Sequence, residues 1–464
     1  ATGAETLKNL VLPGVQQFTI LDDHVVTQAD VTNNFFVSHD QLGESRAQVV
    51  AQLLLEMNGD VSGTHRHANS RTVLSQEPDF LDAFQLVIAT QTDEALAVLL
   101  ADQCRAKKIP LLLVNSYGFL GYFRLQVEDH TILDAKNDPP IHELRLAKPF
   151  PALEQYVSQF ELETLASIDH AHVPFVVVLL KAMDTWKASH DGAPPKTFPE
   201  KTEFKQLLQS MAWGGPGHEV NFIEAVENAY KVYTSPIVPG EVTEVLESAK
   251  QVTLDATTSD FWFLARGLAD FVDANDGVLP ITGVVPDMTA STETYVALQQ
   301  IYVDKAKEDA TRVGAIVQQH LVAAGLAVDK ISQDEVDAFC KNAYNIAMLD
   351  TRSIEDEFKA LDLSAIDVED EDSQQSPLIW YFDAEWLVEK AKALAAGSDL
   401  ANWITRAHAD EMTRSCEVEL HNIAALMGGV ASQEAVKIIT HQFLPLNHTY
   451  VFNGISGHAG TYAV

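Results

Sequence analysis

Ala1-Thr2-Gly3-Ala4-Glu5-Thr6-Leu7-Lys8-Asn9-Leu10-Val11-Leu12-Pro13-Gly14 is followed closely by Phe18-Thr19-Ile20-Leu21-Asp22. Leu7, Leu10 and Val11 fall on one face of a helix, and Pro13-Gly14 stops it. The apolar run after the stop reads as a strand ending in an acid. A glycine at a helix start, a strand, and an acid about 20 residues on form the plan of a dinucleotide-binding βαβ unit. In that plan Gly3 lets a phosphate approach the helix N-terminus, where unpaired N–H groups and the dipole favour anions. Asp22 would take a ribose hydroxyl.

The pattern continues outward from this unit. A helix over 46–57, a weak strand over 61–67 and a buried strand over 84–89 precede a helix over 93–107. Strands over 109–114 and 122–127 follow, joined by Tyr117-Gly118-Phe119-Leu120-Gly121. Alternating elements predict a largely parallel sheet with right-handed crossovers. Asp138-Pro139-Pro140 and Lys148-Pro149-Phe150-Pro151 mark a linker over 129–150.

From 151 to 420 the pattern is helical. Pro174 stands at a helix start. Pro286-Asp287 opens a pattern unbroken to about Ala324, a helix of about 38 residues. Asp367-Val368-Glu369-Asp370-Glu371-Asp372 reads as a mobile acidic loop. Residues 421–464 return to α/β character: Gly428-Gly429 precede a helix over 430–440, and 443–446 and 450–452 read as strands. No internal repeat is visible. The fold class is therefore α/β, with a Rossmann-like first part (1–150), a large all-helical insertion (151–420) and an α/β closing segment (421–464).

The 464 residues include 31 basic and 66 acidic side chains, a net charge of −35. Such a field repels phosphate backbones, so no nucleic-acid partner is expected. Cys104, Cys340 and Cys416 lie far apart with no CxxC pair, which argues against structural zinc and for reduced thiols in the cytoplasm or nucleus. Cys104 lies mid-helix, Cys340 on an apolar face and Cys416 in a polar helix, so all three read as structural rather than nucleophilic. His65 and His67 form a His-x-His pair with no third ligand in view, and no metal site is expected. Apolar runs such as 175–180 are far short of the ~20 residues of a membrane span, so no membrane association is expected. No strand precedes Gly3, and the chain reads as a fragment lacking its natural N-terminus.

The layout resembles the adenylation fold of ubiquitin-like-protein-activating enzymes and their ThiF/MoeB-type bacterial relatives. In the active members an acid is followed eight residues later by Asn-x-x-Arg, then a lysine, then a magnesium-binding aspartate at the end of a later strand. Here Asp22 matches the acid, Asp30 stands for the Asn, Asn33 for the Arg, Arg46 for the Lys and Gln91 for the aspartate. Adenylation needs cations on the phosphates, and Asn33 supplies none. Magnesium prefers anionic oxygens, and Gln91 offers one neutral oxygen. Arg46 is the mildest change, since a cation is kept. Gly3, Asp22, Asp30, Asn33, Arg46 and Gln91 thus read as a vestigial nucleotide site, with no catalytic residue and no cofactor of its own.

The chain more narrowly resembles the regulatory subunits of heterodimeric neddylation-activating enzymes. The resemblance rests on residues 2–14, Asn33-Asn34-Phe35-Phe36, Asp169-His170-Ala171-His172-Val173-Pro174, Pro286-Asp287-Met288 and Gly428-Gly429-Val430-Ala431-Ser432-Gln433-Glu434. It implies a heterodimer with the catalytic subunit, which holds ATP, magnesium and the catalytic cysteine, and contact with the ubiquitin-like modifier through the complex. It further implies that the helical insertion corresponds to a catalytic-cysteine domain without the cysteine. Partner contact is implied at His172, Asp287, Met288, Tyr295, Leu298, Gln299 and Gln300. The family's arginine-bearing N-terminal stretch, which reaches into the partner's ATP site, is not in this sequence. Competing readings are an independent adenylating enzyme with unusual ligands, a nicotinamide-dependent oxidoreductase and a helical scaffold. The oxidoreductase lacks a His or Tyr-Lys arrangement at persuasive spacing.

Overall fold

A computed structural model describes residues 1–135, 143–354, 418–447 and 449–462, with Lys392 and Thr405. The acidic run 367–372 and Cys416 lie outside the described residues. Two compact units emerge: Ala1–Ile132 with Met348–Val464, and Leu133–Ala347. The changes of unit therefore fall at 132/133 and 347/348 rather than at 150 and 420.

The first unit opens with α1 (Thr2–Val11), β1 (Gln17–Leu21), α2 (Gln28–Asn33), α3 (Arg46–Leu55), β2 (Ser62–Arg66) and α4 (Ser70–Gln76). β1 and β2 pair in parallel from Gln17↔Ser62 to Leu21↔Arg66. Val11, Phe18, Val49, Val50 and Leu54 form the core beneath them. β3 (Val87–Thr90), α5 (Glu94–Ala106), β4 (Leu111–Tyr117), β5 (Leu120–Gln126) and β6 (His130–Ile132) follow. β4 is buried along almost its whole length, as its continuous apolar sequence requires. The turn between β4 and β5 holds Gly118 at φ +56°, a conformation glycine adopts without a Cβ penalty.

The second unit is helical. It contains α6 (Pro151–Ser158), α7 (Ser167–His170), α8 (Phe175–Ser189), α9 (Phe198–Met211), α10 (Val220–Glu227), α11 (Gly240–Gln251), α12 (Asp260–Ala274), α13 (Thr292–Ala323) and α14 (Gln333–Lys341). α8 buries Phe175 through Leu180 all round and so forms the centre of the core. Pro174 is its N-cap residue. α13 has 32 residues rather than about 38. Its start is set by Ser291, whose hydroxyl accepts the Thr294 N–H at 3.2 Å. The stretch before it is not helical: the N–H and hydroxyl of Thr289 are held by Glu224.

The chain returns to the first unit after β7 (Ala347–Leu349), ending with α15 (His421–Thr440), β8 (Thr449–Asn453) and β9 (His458–Tyr462). The main sheet has the order β3-β4-β5-β8-β9. Only β3 and β4 pair in parallel; β4–β5, β5–β8 and β8–β9 are antiparallel. The expectation of a largely parallel sheet is corrected, because tight turns after β4 and β8 force antiparallel neighbours. No strand forms over 443–446: Phe443 takes φ +60° and Pro445 has no N–H to give a ladder.

Gly428 and Gly429 lie inside α15, not before it. By length and composition α15 is apolar enough to cross a membrane, which the sequence reading missed. It is a core helix here. Ile423, Met427, Ala431, Ala435 and Ile438 are buried, and Gly428 lies against the backbone of Glu5 and Thr6 in α1.

Candidate functional site

The vestigial residues gather in the first unit around the start of α1, the end of β1 and the end of β3. Gly3 serves helix–strand packing: a Cβ there would lie 3.0 Å from Thr90 Oγ1 of β3.

Arg46, the first residue of α3, is spent on neighbours. Its Nε and Nη2 donate to the two oxygens of Asp22 at 2.6 and 3.1 Å, and its Nη1 donates to Asp30 at 2.9 Å. Asp30 is also the third residue of a capping box: its carboxylate accepts the Thr27 N–H at 2.8 Å and the Thr27 hydroxyl at 2.6 Å. Burial works against the charge on Asp30, but Thr27 and Arg46 outweigh it and hold the pKa below the usual carboxylate value. Burial likewise opposes the charge on Arg46, and the two carboxylates outweigh it, fixing the guanidinium as a cation. One cation thus faces two acids. The cation kept at this position is thus already paired with two carboxylates of its own chain. Asn33 ends α2, and its backbone carbonyl accepts from His421 Nδ1 at 3.3 Å.

Gln91 follows β3 at φ +53°. Its Oε1 accepts the Ser116 N–H at 2.7 Å and its Nε2 donates to the Ser116 carbonyl at 2.9 Å. Both ends of the amide act as one more rung beside β4. Ser116 continues the network, with its Oγ 3.1 Å from Thr2 Oγ1.

Sequence reasoning missed Glu419. Its carboxylate accepts the Thr2 N–H at 2.9 Å and the Thr2 hydroxyl at 2.7 Å. It sits at the positive end of α1. Since the Thr2 proton points to Glu419, Ser116 is the donor to Thr2. The Gly118 N–H donates to the Val418 carbonyl at 2.7 Å and fixes the adjoining chain. The available signal was an acid two residues before an apolar helix, which is weak until α1 is known to end beside it.

The other sequence candidates separate clearly. Cys104 and Cys340 are buried, and burial pushes each thiol up to about 12, away from the thiolate that a nucleophile needs. His65 and His67 are exposed on or beside β2. Asp22, Asp23 and His24 form the one grouping of three potential metal ligands among the described residues. These residues are already engaged, with His24 Nδ1 2.9 Å from Asp23 and 3.1 Å from Asp22, and Asn69 donating to Asp23 at 2.8 Å.

The residues implied at a partner surface lie in the second unit. His170 is buried between the rings of Trp213 and Phe222, with Nδ1 2.8 Å from Glu219. His172, two residues on, is exposed, and its carbonyl accepts the Ser291 N–H at 3.1 Å. Asp287, Gln299 and Gln300 are exposed, and Tyr295 is half-buried. Leu298 is fully buried and Met288 is buried, both within the unit's own core. Those two are corrected from contact residues to packing residues: Leu298 lies on the inward face of α13, and Met288, in the non-helical stretch before it, packs into the same core.

Comparison with known proteins agrees with this geometry. The ThiF family profile matches residues 1–462. The NEDD8-activating enzyme E1 regulatory subunit of Xenopus laevis is 34% identical over 493 residues, covering 100% of this chain and 92% of that protein. The regulatory subunit AXL of Arabidopsis thaliana is 35% identical over 483 residues, covering 98% and 92%. The Saccharomyces cerevisiae regulatory subunit is 25% identical over 476 residues, covering 99% and 92%. An α/β unit of adenylation type whose phosphate-facing groups are bound to one another is the class of structure present. The chain belongs to the ThiF family and, within it, to the NEDD8-activating enzyme E1 regulatory subunits.

Proposed function

We propose that this chain is the non-catalytic half of a heterodimeric NEDD8-activating enzyme, supporting ATP-dependent adenylation and thioester transfer of the modifier by its catalytic partner. One observation carries the non-catalytic part: Arg46 is bound by Asp22 and Asp30 while the Gln91 amide is bound by Ser116, leaving neither for a phosphate or a metal. In this reading ATP and magnesium sit on the partner and this chain holds no cofactor. The complex works in the cytoplasm or nucleus, a reducing setting that suits the free thiols of Cys104 and Cys340.

The partner surface we assign is the exposed part of the implied set, His172, Asp287, Gln299 and Gln300, with half-buried Tyr295. Co-expression with the catalytic subunit should give a one-to-one complex on size exclusion, and Asp287→Arg with His172→Ala should weaken it at least about tenfold, the scale of a lost ~1.4 kcal/mol. ATP:pyrophosphate exchange should require the complex. Robust exchange by this chain alone would overturn the proposal.

A further inference from the structure

We infer that Asn58, in the turn between α3 and β2, is a site of spontaneous deamidation, and that the fold protects Asn453, the other asparagine followed by glycine in the sequence. A glycine after asparagine leaves its backbone nitrogen unshielded, because no Cβ flanks it and the backbone rotates freely. That nitrogen is the nucleophile. The Gly59 nitrogen attacks Asn58 Cγ and a C–N bond forms. The Cγ–Nδ2 bond breaks, and Nδ2 leaves as ammonia with the proton that the Gly59 nitrogen gives up. Water then opens the cyclic imide at either carbonyl, which leaves aspartate or isoaspartate.

The two asparagines differ in what surrounds the nucleophile. Gly59 is exposed, and its N–H has no hydrogen-bond partner among the described residues. A Cβ there would meet nothing within 4 Å, so the turn has room for the imide ring to close. Gly454 is half-buried, and its N–H donates to the Phe119 carbonyl at 2.7 Å. A Cβ at Gly454 would lie 2.7 Å from that carbonyl oxygen and 2.8 Å from Ile423 Cδ1. The nitrogen at 454 is therefore tied and packed. The electrophile does not distinguish the sites: the Asp60 N–H donates to Asn58 Oδ1 at 3.1 Å, and the Ile455 N–H donates to Asn453 Oδ1 at 3.0 Å.

Deamidation at Asn58 reaches beyond its own turn. Asn58 Nδ2 donates to the carbonyl of Val11, the last residue of α1, at 3.0 Å. A carboxylate cannot donate, and it brings a negative charge to the negative end of the helix dipole. Isoaspartate also adds a backbone methylene between α3 and β2. Either product loosens the end of α1 from this turn.

The test is incubation of the full chain in mildly alkaline buffer at physiological temperature, with peptide mapping by mass spectrometry over time. Asn58 should convert at least about tenfold faster than Asn453, a barrier difference of about 1.4 kcal/mol, the scale of the hydrogen bond that the Gly454 nitrogen must give up. In urea, where both turns are unfolded, the two rates should converge. Gly59→Ala, which the open space accommodates, should slow conversion at Asn58 and leave Asn453 as it is. Asn58→Asp should unfold at a lower Tm than wild type. Equal rates at the two sites in the folded chain, or faster conversion at Asn453, would overturn the inference. So would an Asn58 that stays an amide while the urea-treated chain converts at both sites. A rate difference that persists unchanged in urea would place the cause in the neighbouring sequence rather than the fold and would overturn it equally. An Asn58→Asp variant as stable as wild type would overturn the link to α1.

Discussion

Gln91 shows how a lost catalytic position takes on a structural role. The spacing from Asp22 identified it as a departure from the magnesium ligand, because that motif is a matter of residue identity at fixed intervals. What the amide does instead depends on Ser116, 25 residues away and brought close only by the pairing of β3 with β4. The same holds for Arg46: its charge was legible, but its two acidic partners, 24 and 16 residues away, were not. Gln91→Ala is therefore expected to cost about 1 kcal/mol in urea unfolding, since it removes two hydrogen bonds to the backbone of Ser116, a buried residue. Pyrophosphate exchange by the heterodimer should be unchanged. Reduced exchange at unaltered stability would return Gln91 to the chemistry.

At the scale of elements, the sequence located α3, β2 and the strand–helix–strand run from β3 to β4 to within a few residues, because their caps and apolar periods agree. It misplaced the start of α15 by nine residues because paired glycines read as a breaker. The physical reason for Gly428 is tertiary. A Cβ there would lie 2.7 Å from Glu5 Cβ and 2.9 Å from the Thr6 nitrogen, so only glycine lets α15 cross α1 at this distance. Gly429 has nothing within 4 Å of the same position. The two neighbours should respond oppositely to alanine. Gly428→Ala should destabilise by about 2–3 kcal/mol through forced separation of the helices. Gly429→Ala should stabilise by roughly 0.5–1 kcal/mol through helix propensity. Urea midpoints read both, and similar losses at the two positions would contradict the packing assigned to α15.

At the scale of the molecule, composition was legible at once, while the unit borders depended on the return of the chain after β7. The charge has a consequence that no single contact shows. Even with all 31 basic side chains paired, 35 of the 66 acidic ones remain unpaired. The exposed ion pairs, such as Arg66–Glu77 at 2.7 Å, contribute little and weaken with salt. The excess of like charge acts in the other direction, because self-repulsion opposes compaction and salt relieves it. The screening length falls from about 30 Å at 0.01 M to about 8 Å at 0.15 M, which spans the spacing of surface carboxylates. With acids outnumbering bases about two to one, relief of repulsion should dominate. The Tm of the isolated chain should therefore rise with sodium chloride over that range. A falling Tm would mean that attractive pairs, Arg46 with Asp22 and Asp30 foremost, contribute more to the folded state than the net charge takes away.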